Sequence, residues 1–381
     1  MPIFPSYFNE THEQVRQTTR RFVETEILPH VAEWEEACTF PRELYQKAGE
    51  AGLLGIGFPE EYGGTGKDVF MAVAFTEEIV RCTSGGVVAS LGSLGIGLPP
   101  IAEWGPAEMK ARVIPPVLRG EKIIALAITE PSGGSDVANL KTRAVRDGDD
   151  YVVNGSKTYI TSGVRADYCT VAVRTGGDGY GGVSLLLIEK DTPGFTVGRN
   201  LKKMGWWASD TAELFFADCR VPVTNLIGPE NGGFLCIMTN FQMERLTLAV
   251  IATTTAQIAL EECLRYVGER EAFGRKIGGF QVIRHKLAEM ATRIEASREF
   301  NYRVAAKMAA GETVVKEVSM AKNFSTQVSD FVTYEAVQIF GGMGYMRESV
   351  VERLYRDNRI LSIGGGTYEI MNEVIAKQLG L

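Results

Sequence analysis

Proline is missing from the last third of the chain. All 14 prolines of the 381 residues lie at or before Pro229. Proline removes a backbone donor and collides with the preceding turn, so a segment without it is free to be helical almost throughout. Histidine is scarce (His12, His30 and His285), and the six cysteines, at 38, 82, 169, 219, 236 and 263, show no CxxC or CxxxH spacing. No zinc site assembles from such spacings, and no metal is expected. The thiols read as buried and reduced. No basic-then-apolar leader opens the chain and no apolar run of about 18 residues appears, so membrane insertion is not expected. The net charge of −7 gives no general attraction for nucleic acid or anionic membrane. What is present is ordinary globular material: 45% apolar residues exclude a disordered chain, and the length admits two or three domains.

Glycine divides the proline-free part into stretches 234–267, 280–310, 312–340 and 347–363. Long helices with short turns predict an antiparallel bundle. The middle reads differently. Residues 123–129, 151–153, 158–161, 168–174, 183–189 and 212–217 are short runs rich in Val, Ile, Tyr and Thr, separated by Gly and Asp clusters at 147–150 and 176–182. That spacing predicts an antiparallel barrel or sandwich. The front is helical again, with a capping box at Thr11 and Gln14 and helices over 44–52 and 69–82. The expected fold is therefore mainly α with a β middle: an N-terminal helical domain over 1–122, a β domain over 123–228 and a C-terminal four-helix bundle over 229–381.

Three stretches can carry chemistry. Thr129-Glu130-Pro131-Ser132-Gly133-Gly134-Ser135-Asp136 follows an apolar strand and offers hydroxyls and close backbone approach, or else simply caps a helix. It is neither a Walker A loop nor a G-x-G-x-x-G turn. Lys157-Thr158-Tyr159-Ile160-Thr161-Ser162 can set an aromatic ring and hydroxyls beside a flat cofactor, or be a half-exposed strand. The glycines at 341, 342, 344 and 364–366 lie between helical segments, either where backbone passes close to a ligand or in plain turns.

Together with Phe58-Pro59-Glu60-Glu61-Tyr62-Gly63-Gly64, residues 228–234, Arg270-Glu271-Ala272-Phe273-Gly274 and residues 338–345, these stretches resemble the acyl-CoA dehydrogenase family of flavoenzymes over essentially the whole chain. The resemblance implies tightly bound FAD and an acyl-CoA thioester oxidised between Cα and Cβ to a trans-2-enoyl-CoA. It also implies electron transfer to an electron-transferring flavoprotein, and a homotetramer built as a pair of dimers. By position, Ile128, Thr129, Ser135, Tyr159, Ile160 and Thr161 look like contacts to the cofactor, with Ser135 also facing substrate. Arg270, Phe273, Gln281, Gln338, Gly341 and Gly342 resemble positions that bind the FAD of a neighbouring subunit, and Thr367 and Glu369 the carboxyl-terminal FAD contacts. The location expected is cytoplasmic or, for a processed organelle protein, the mitochondrial matrix.

The usual catalytic Glu of the family, just before the Gly-Thr of the last loop, is absent; Gly365 stands there. Long-chain and isovaleryl-CoA dehydrogenases take the base from a helix instead, and the matching pair is Glu244-Arg245. Helical spacing aligns Glu244 with Ile237, Phe241, Leu248 and Ile251, an otherwise apolar stripe in which a carboxylate is a stronger base. The expectation is that Glu244 takes the α-proton, that Gln242, Arg245, Gly365 and Gly366 contact substrate, and that the Gly365 N–H helps hold the thioester carbonyl. Glu369 is the rival base. Residues 94–100 are candidates for the acyl pocket, and Trp206 and Trp207 pack either near the cofactor or in an ordinary core. Rival readings are an acyl-CoA oxidase, a flavin monooxygenase or nitroalkane oxidase on the same scaffold, and a non-catalytic binding protein.

Overall fold

The computed structural model describes residues 7–381. Helix α1 (Glu10–Phe22) begins at Asn9, whose side chain accepts the His12 N–H while the His12 ring accepts the Asn9 N–H. This reciprocal cap replaces the predicted Thr11–Gln14 box. Asn caps at least as well as Thr, and the second His12 nitrogen is held by Asp68 at 3.0 Å. A π-helical turn (Val23–Ile27) continues α1. Helices α2 (Val31–Ala37), α3 (Glu43–Glu50) and α4 (Val69–Ile79) follow. The Gly- and Pro-rich stretch beyond them is helical too, in α5 (Gly85–Leu91), α6 (Leu94–Gly97), α7 (Pro99–Trp104) and α8 (Ala107–Leu118). Pro99 and Pro100 occupy the first turn of α7, where no intrahelical donor is needed.

The middle holds β1 (Ile124–Ala127), β2 (Arg143–Asp147), β3 (Asp150–Thr161), β4 (Tyr168–Arg174), β5 (Val183–Glu189), β6 (Phe195–Asn200), β7 (Thr211–Pro222) and β8 (Leu226–Ile227). They form one sheet in the order β6-β7-β3-β2-β4-β5-β8, with β1 beside β4. Antiparallel pairing dominates as expected; the exceptions are β1 on β4 and the Arg143–Arg174 contact of β2 with β4, both parallel. The Asp-Gly cluster at 147–150 is the tight turn of the β2–β3 hairpin, with Gly148 at φ 62°. The two short runs 151–153 and 158–161 are one strand, β3, interrupted by register shifts at Val153/Gly155 and Lys157/Ile160. Strands β2 and β6 escaped the pattern because charged residues and Gly198 dilute their β-branched content.

Five helices close the chain: α9 (Gly233–Glu269), α10 (Gln281–Ala309), α11 (Val315–Phe340), α12 (Val350–Asn358) and α13 (Tyr368–Gln378), with the small hairpin β9 (Glu271–Ala272) and β10 (Arg275–Lys276) between α9 and α10. Helix α11 packs on α9, α10, α12 and α13. A buried polar ring ties the three long helices: Thr253 to Ser297 (2.6 Å), Ser297 to Ser325 (2.9 Å), and Asn301 to both Thr253 (2.9 Å) and Ser325 (3.1 Å). A window of α9 reaches a mean hydropathy of 1.2, high enough for a bilayer span by composition. Its apolar side chains instead pack against α4, α10 and α11.

The three parts meet at one buried node. Asp357 on α12 accepts from the Trp206 N–H (2.6 Å) and the Gly85 N–H (2.9 Å). Glu35 on α2 accepts from Ser84 (2.6 Å) and from Arg356 (2.9 Å). Arg356 also lies over the Trp207 ring at 3.6 Å, with Arg347 at 4.1 Å. Trp206 and Trp207 therefore belong to this junction.

Candidate active site

Helix α9 carries Glu244 to the last loop. A Cβ built on Gly365 would lie 3.4 Å from Glu244 Oε1 and 3.7 Å from Lys322 Cε. The helix-borne carboxylate thus reaches the position where the loop itself brings no side chain. The same Cβ would come within 2.5 Å of Leu248 Cδ1, one helical turn after Glu244. Gly365 and Gly366 both have left-handed backbone, φ 65° and 106°, which only glycine adopts cheaply.

Three cationic or amide groups grip this loop by its carbonyls. Lys322 Nζ donates to Gly366 O at 2.6 Å, Arg245 Nε to Gly365 O at 3.4 Å, and Asn323 Nδ2 to Tyr368 O at 3.0 Å. Among the described residues, the N–H groups of Gly365, Gly366 and Thr367 have no backbone acceptor. Successive free amides, two of them on left-handed glycines, make a concavity suited to negative charge. Glu244 Oε2 is buried without a hydrogen-bond partner. Burial pushes the Glu244 carboxyl up to about 7, against the opposing charges of Arg245 and Lys322. Burial pulls the Lys322 ammonium down to about 8, helped by Arg245 and opposed by Glu244. Sequence reasoning missed Lys322, yet there was a signal: it lies in line with Val318, Ser325 and Ser329, the buried face of α11.

The second group of predicted residues sits in the middle domain. The Thr158 N–H donates to Thr129 O at 2.9 Å, joining the turn after β1 to β3. At the bulge Tyr159 takes φ 60° and is 69% exposed. Thr161 is half-buried, and Ser135 exposed. Ile128 and Ile160 are buried in the core, and Ile128 O is taken by Lys157. The anchor is a pair that sequence reasoning did not single out. Lys157 Nζ, fully buried, donates to Glu130 Oε1 (2.8 Å) and Ile128 O (3.0 Å), while Glu130 accepts the N–H groups of Lys141 (2.5 Å) and Thr142 (2.8 Å). Burial alone would raise the Glu130 carboxyl, but the Lys157 charge and these donors hold it at about 2. Burial outweighs Glu130 at Lys157 and brings it to about 8.

The third group lies elsewhere. Arg270 caps the far end of α9, 26 residues beyond Glu244, roughly 39 Å along the axis. Phe273 is 95% exposed, and Gln281, Gln338, Gly341 and Gly342 are exposed around it or at the end of α11. Tyr266 stacks on Phe340 at 4.1 Å, bringing that end of α11 beside the end of α9. Thr367 is the N-cap of α13, accepting the Ile370 N–H at 3.3 Å, and Glu369 is exposed in its first turn. Gln242 is half-buried on α9. Residues 94–100 touch α9 through Asn240, which donates to Ile96 O at 3.1 Å, one turn before Glu244.

The middle-domain strip fits a flavin. The Thr129, Ser135 and Thr161 hydroxyls have no protein hydrogen-bond partner among the described residues, and the Tyr159 ring stands open beside them. Three family descriptions cover the chain in order: acyl-CoA dehydrogenase N-terminal domain at 9–121, middle domain at 125–219 and C-terminal domain at 231–380. Fold, site and matches define an FAD-dependent oxidoreductase. The chain belongs to the acyl-CoA dehydrogenase family. It is 41% identical to the mitochondrial long-chain specific acyl-CoA dehydrogenase of Sus scrofa over 378 residues, covering 98% of this chain and 87% of that one. Among solved structures, a probable acyl-CoA dehydrogenase from Mycobacterium abscessus is 57% identical with a TM-score of 0.97, covering 98% of this chain and 100% of the other. An acyl-CoA dehydrogenase complexed with FAD from Bacillus anthracis is 33% identical with a TM-score of 0.93, covering 99% of this chain and 69% of the other.

Proposed function

We propose that this protein dehydrogenates medium- to long-chain or branched acyl-CoA thioesters to trans-2-enoyl-CoA, with Glu244 as the base that takes the α-proton. The observation that carries this reading is the 3.4 Å approach of Glu244 Oε1 to the Cβ position of Gly365. A thioester α-proton is weakly acidic, so its removal needs a base with a high pKa and stabilisation of the enolate oxygen. Burial supplies the first at Glu244. The free amides at 365–367 supply donors for the second. Arg245 holds the loop by Gly365 O, so its part is orientation of those amides.

Thr129, Ser135, Tyr159 and Thr161 would hold the flavin end of FAD, with Thr367 and Glu369 at the carboxyl-terminal side. When bound, FAD supplies the two-electron acceptor. Arg270, Phe273, Gln281 and residues 338–342 would serve the cofactor of a second subunit. The separation of Arg270 from Glu244, roughly 39 Å along α9, supports this, and the proposed assembly is a homotetramer built as a pair of dimers. The proposed electron acceptor is an electron-transferring flavoprotein.

Anaerobic titration of the purified yellow protein with acyl-CoAs of graded length and branching tests the reading. Bleaching of the flavin by one class at a single equivalent supports it, and the best substrate defines the acyl pocket. Absence of bleaching by every acyl-CoA sinks it. Peroxide formation in air at the rate of bleaching marks an oxidase instead.

A further inference from the structure

Lys322 is fully buried in the middle of α11. An ammonium offers three donors, and among the described residues only one protein acceptor is found, Gly366 O at 2.6 Å. Among the described residues, no carboxylate lies within 4.0 Å to form an ion pair with it. Its Cε is 3.7 Å, and Glu244 Oε1 3.4 Å, from the point where a Cβ on Gly365 would stand. The lysine and the carboxylate therefore face one small space from two helices.

Burying an ammonium is costly and is normally repaid by a counter-charge or a full set of acceptors. Here the set of acceptors is incomplete, and Glu244, the carboxylate that faces Lys322, stands beyond ion-pair distance. What the lysine does hold is a carbonyl of the loop whose amides at 365–367 have no backbone acceptor among the described residues. A peptide plane with its C=O turned toward α11 has its N–H turned the opposite way. The Gly366–Thr367 peptide is fixed by Lys322 and the Gly365–Gly366 peptide by Arg245. The next residue on α11, Asn323, takes Tyr368 O at 3.0 Å and Asn372 Oδ1 at 3.0 Å. One face of α11 thus fixes the loop and the start of α13.

We propose that Lys322 is a positioning residue for the dehydrogenation: through Gly366 O it orients the Thr367 amide, and it supplies positive charge that favours the ionised form of Glu244. This rests on Glu244 being the base. The charged groups facing Glu244 are Arg245 on its own helix and Lys322 on α11. Helix α4 packs on this part of α9 with Phe70 and Val73, and its carboxylates Glu77 and Glu78 are paired with Arg16. The loop 363–367 carries no titratable side chain.

Lys322→Met removes charge and donor at similar volume, Lys322→Gln keeps a donor without the charge, and Lys322→Arg keeps both. Each is purified with FAD and compared by anaerobic flavin reduction from pH 5.5 to 9. For Lys322→Met the expected result is a reduction rate down roughly 10- to 100-fold with KM changed less than about threefold. The acid limb of its profile should move up by about one pH unit, since losing a cation disfavours the carboxylate. Lys322→Gln should shift the limb as far but lose less rate, and Lys322→Arg should return the limb to its wild-type position. An unmoved limb in both neutral variants overturns the proposal, as does failure of both to yield folded holoenzyme, which is how a merely structural lysine behaves. Glu244→Gln is run in parallel. If that variant is reduced at the normal rate, the base assignment is what fails; if it is inactive while the Lys322 variants match wild type, only the role of Lys322 fails.

Discussion

Glu244 Oε1 stands 3.4 Å from the Cβ position of Gly365, so a side chain on α9 occupies the place that the last loop leaves empty. The two residues are 121 apart in sequence (365 − 244) and on different elements. Their meeting is a product of α9 packing beside α11 and of α11 holding the loop.

The rate of flavin reduction by acyl-CoA should depend on one ionisation near pH 7. Glu244 must be deprotonated to act, and burial raises it to about 7. The rate therefore falls about tenfold per pH unit below that value. Glu244→Gln should retain the yellow cofactor and lose roughly 10²- to 10⁴-fold in rate, measured by anaerobic stopped flow.

The same carboxylate should destabilise the folded protein at alkaline pH. Its folded pKa lies above the ordinary value of 4.5, so the folded state holds a proton that the unfolded state has released. Stability is then lost as pH rises from about 4.5 through about 7. Glu244→Gln should gain up to about 3 kcal/mol at pH 8 and little at pH 4.5, read as the difference in urea unfolding of the FAD-free protein.

Moving the acid back to the loop should fail without further change. Gly365→Glu places a Cβ on a residue at φ 65° and 2.5 Å from Leu248 Cδ1. Strain and overpacking together should cost about 2–4 kcal/mol, seen as a lower Tm. Adding Leu248→Ala should recover the overpacking part but not the backbone strain.

Breaking the Glu130–Lys157 pair should loosen the cofactor strip. Lys157→Met leaves a buried carboxylate facing an apolar side chain and should cost about 3–5 kcal/mol. The Thr129–Ser135 turn loses its anchor with it, so the FAD-to-protein ratio after gel filtration should fall. Glu130→Gln, which keeps one acceptor oxygen for the Lys157 ammonium, should retain more cofactor.

At the three-part junction, burial and the neighbouring Glu35 push the Asp357 carboxyl up, against the charge of Arg356. A raised carboxyl costs stability as pH climbs through its folded value. Asp357→Asn keeps one acceptor oxygen for two backbone donors, so it should be weaker by about 1–3 kcal/mol at pH 6. Its Tm should also change less than wild type between pH 6 and pH 8.

Much of this was legible in sequence because it follows from periodicity and punctuation. The long helices α10 and α11 sit within the glycine- and proline-free stretches, α9 overruns its stretch at both ends through Gly233 and Gly268, and the apolar stripe around Glu244 pointed to a buried acid. What stayed hidden depends on context. Helices α5 to α8 contain glycines and prolines that local rules read as turns, and tertiary packing overrides them. The Glu130–Lys157 pair joins residues on separate segments, and the approach of Lys322 to the space beside Glu244 depends on how α9 and α11 pack. The capping of α1 went to Asn9 because Asp68, 56 residues on in sequence, fixes the His12 ring.

Helix α9 runs unbroken for 37 residues from Gly233 to Glu269. Because Glu244 and the Arg270 end share this one rod, the phase between them is locked. A single residue inserted between them would swing one end about 100° around the axis and slide it about 1.5 Å. Natural variation in chain length should therefore accumulate before Gly233 or in the turns flanking α10, and not inside the rod itself.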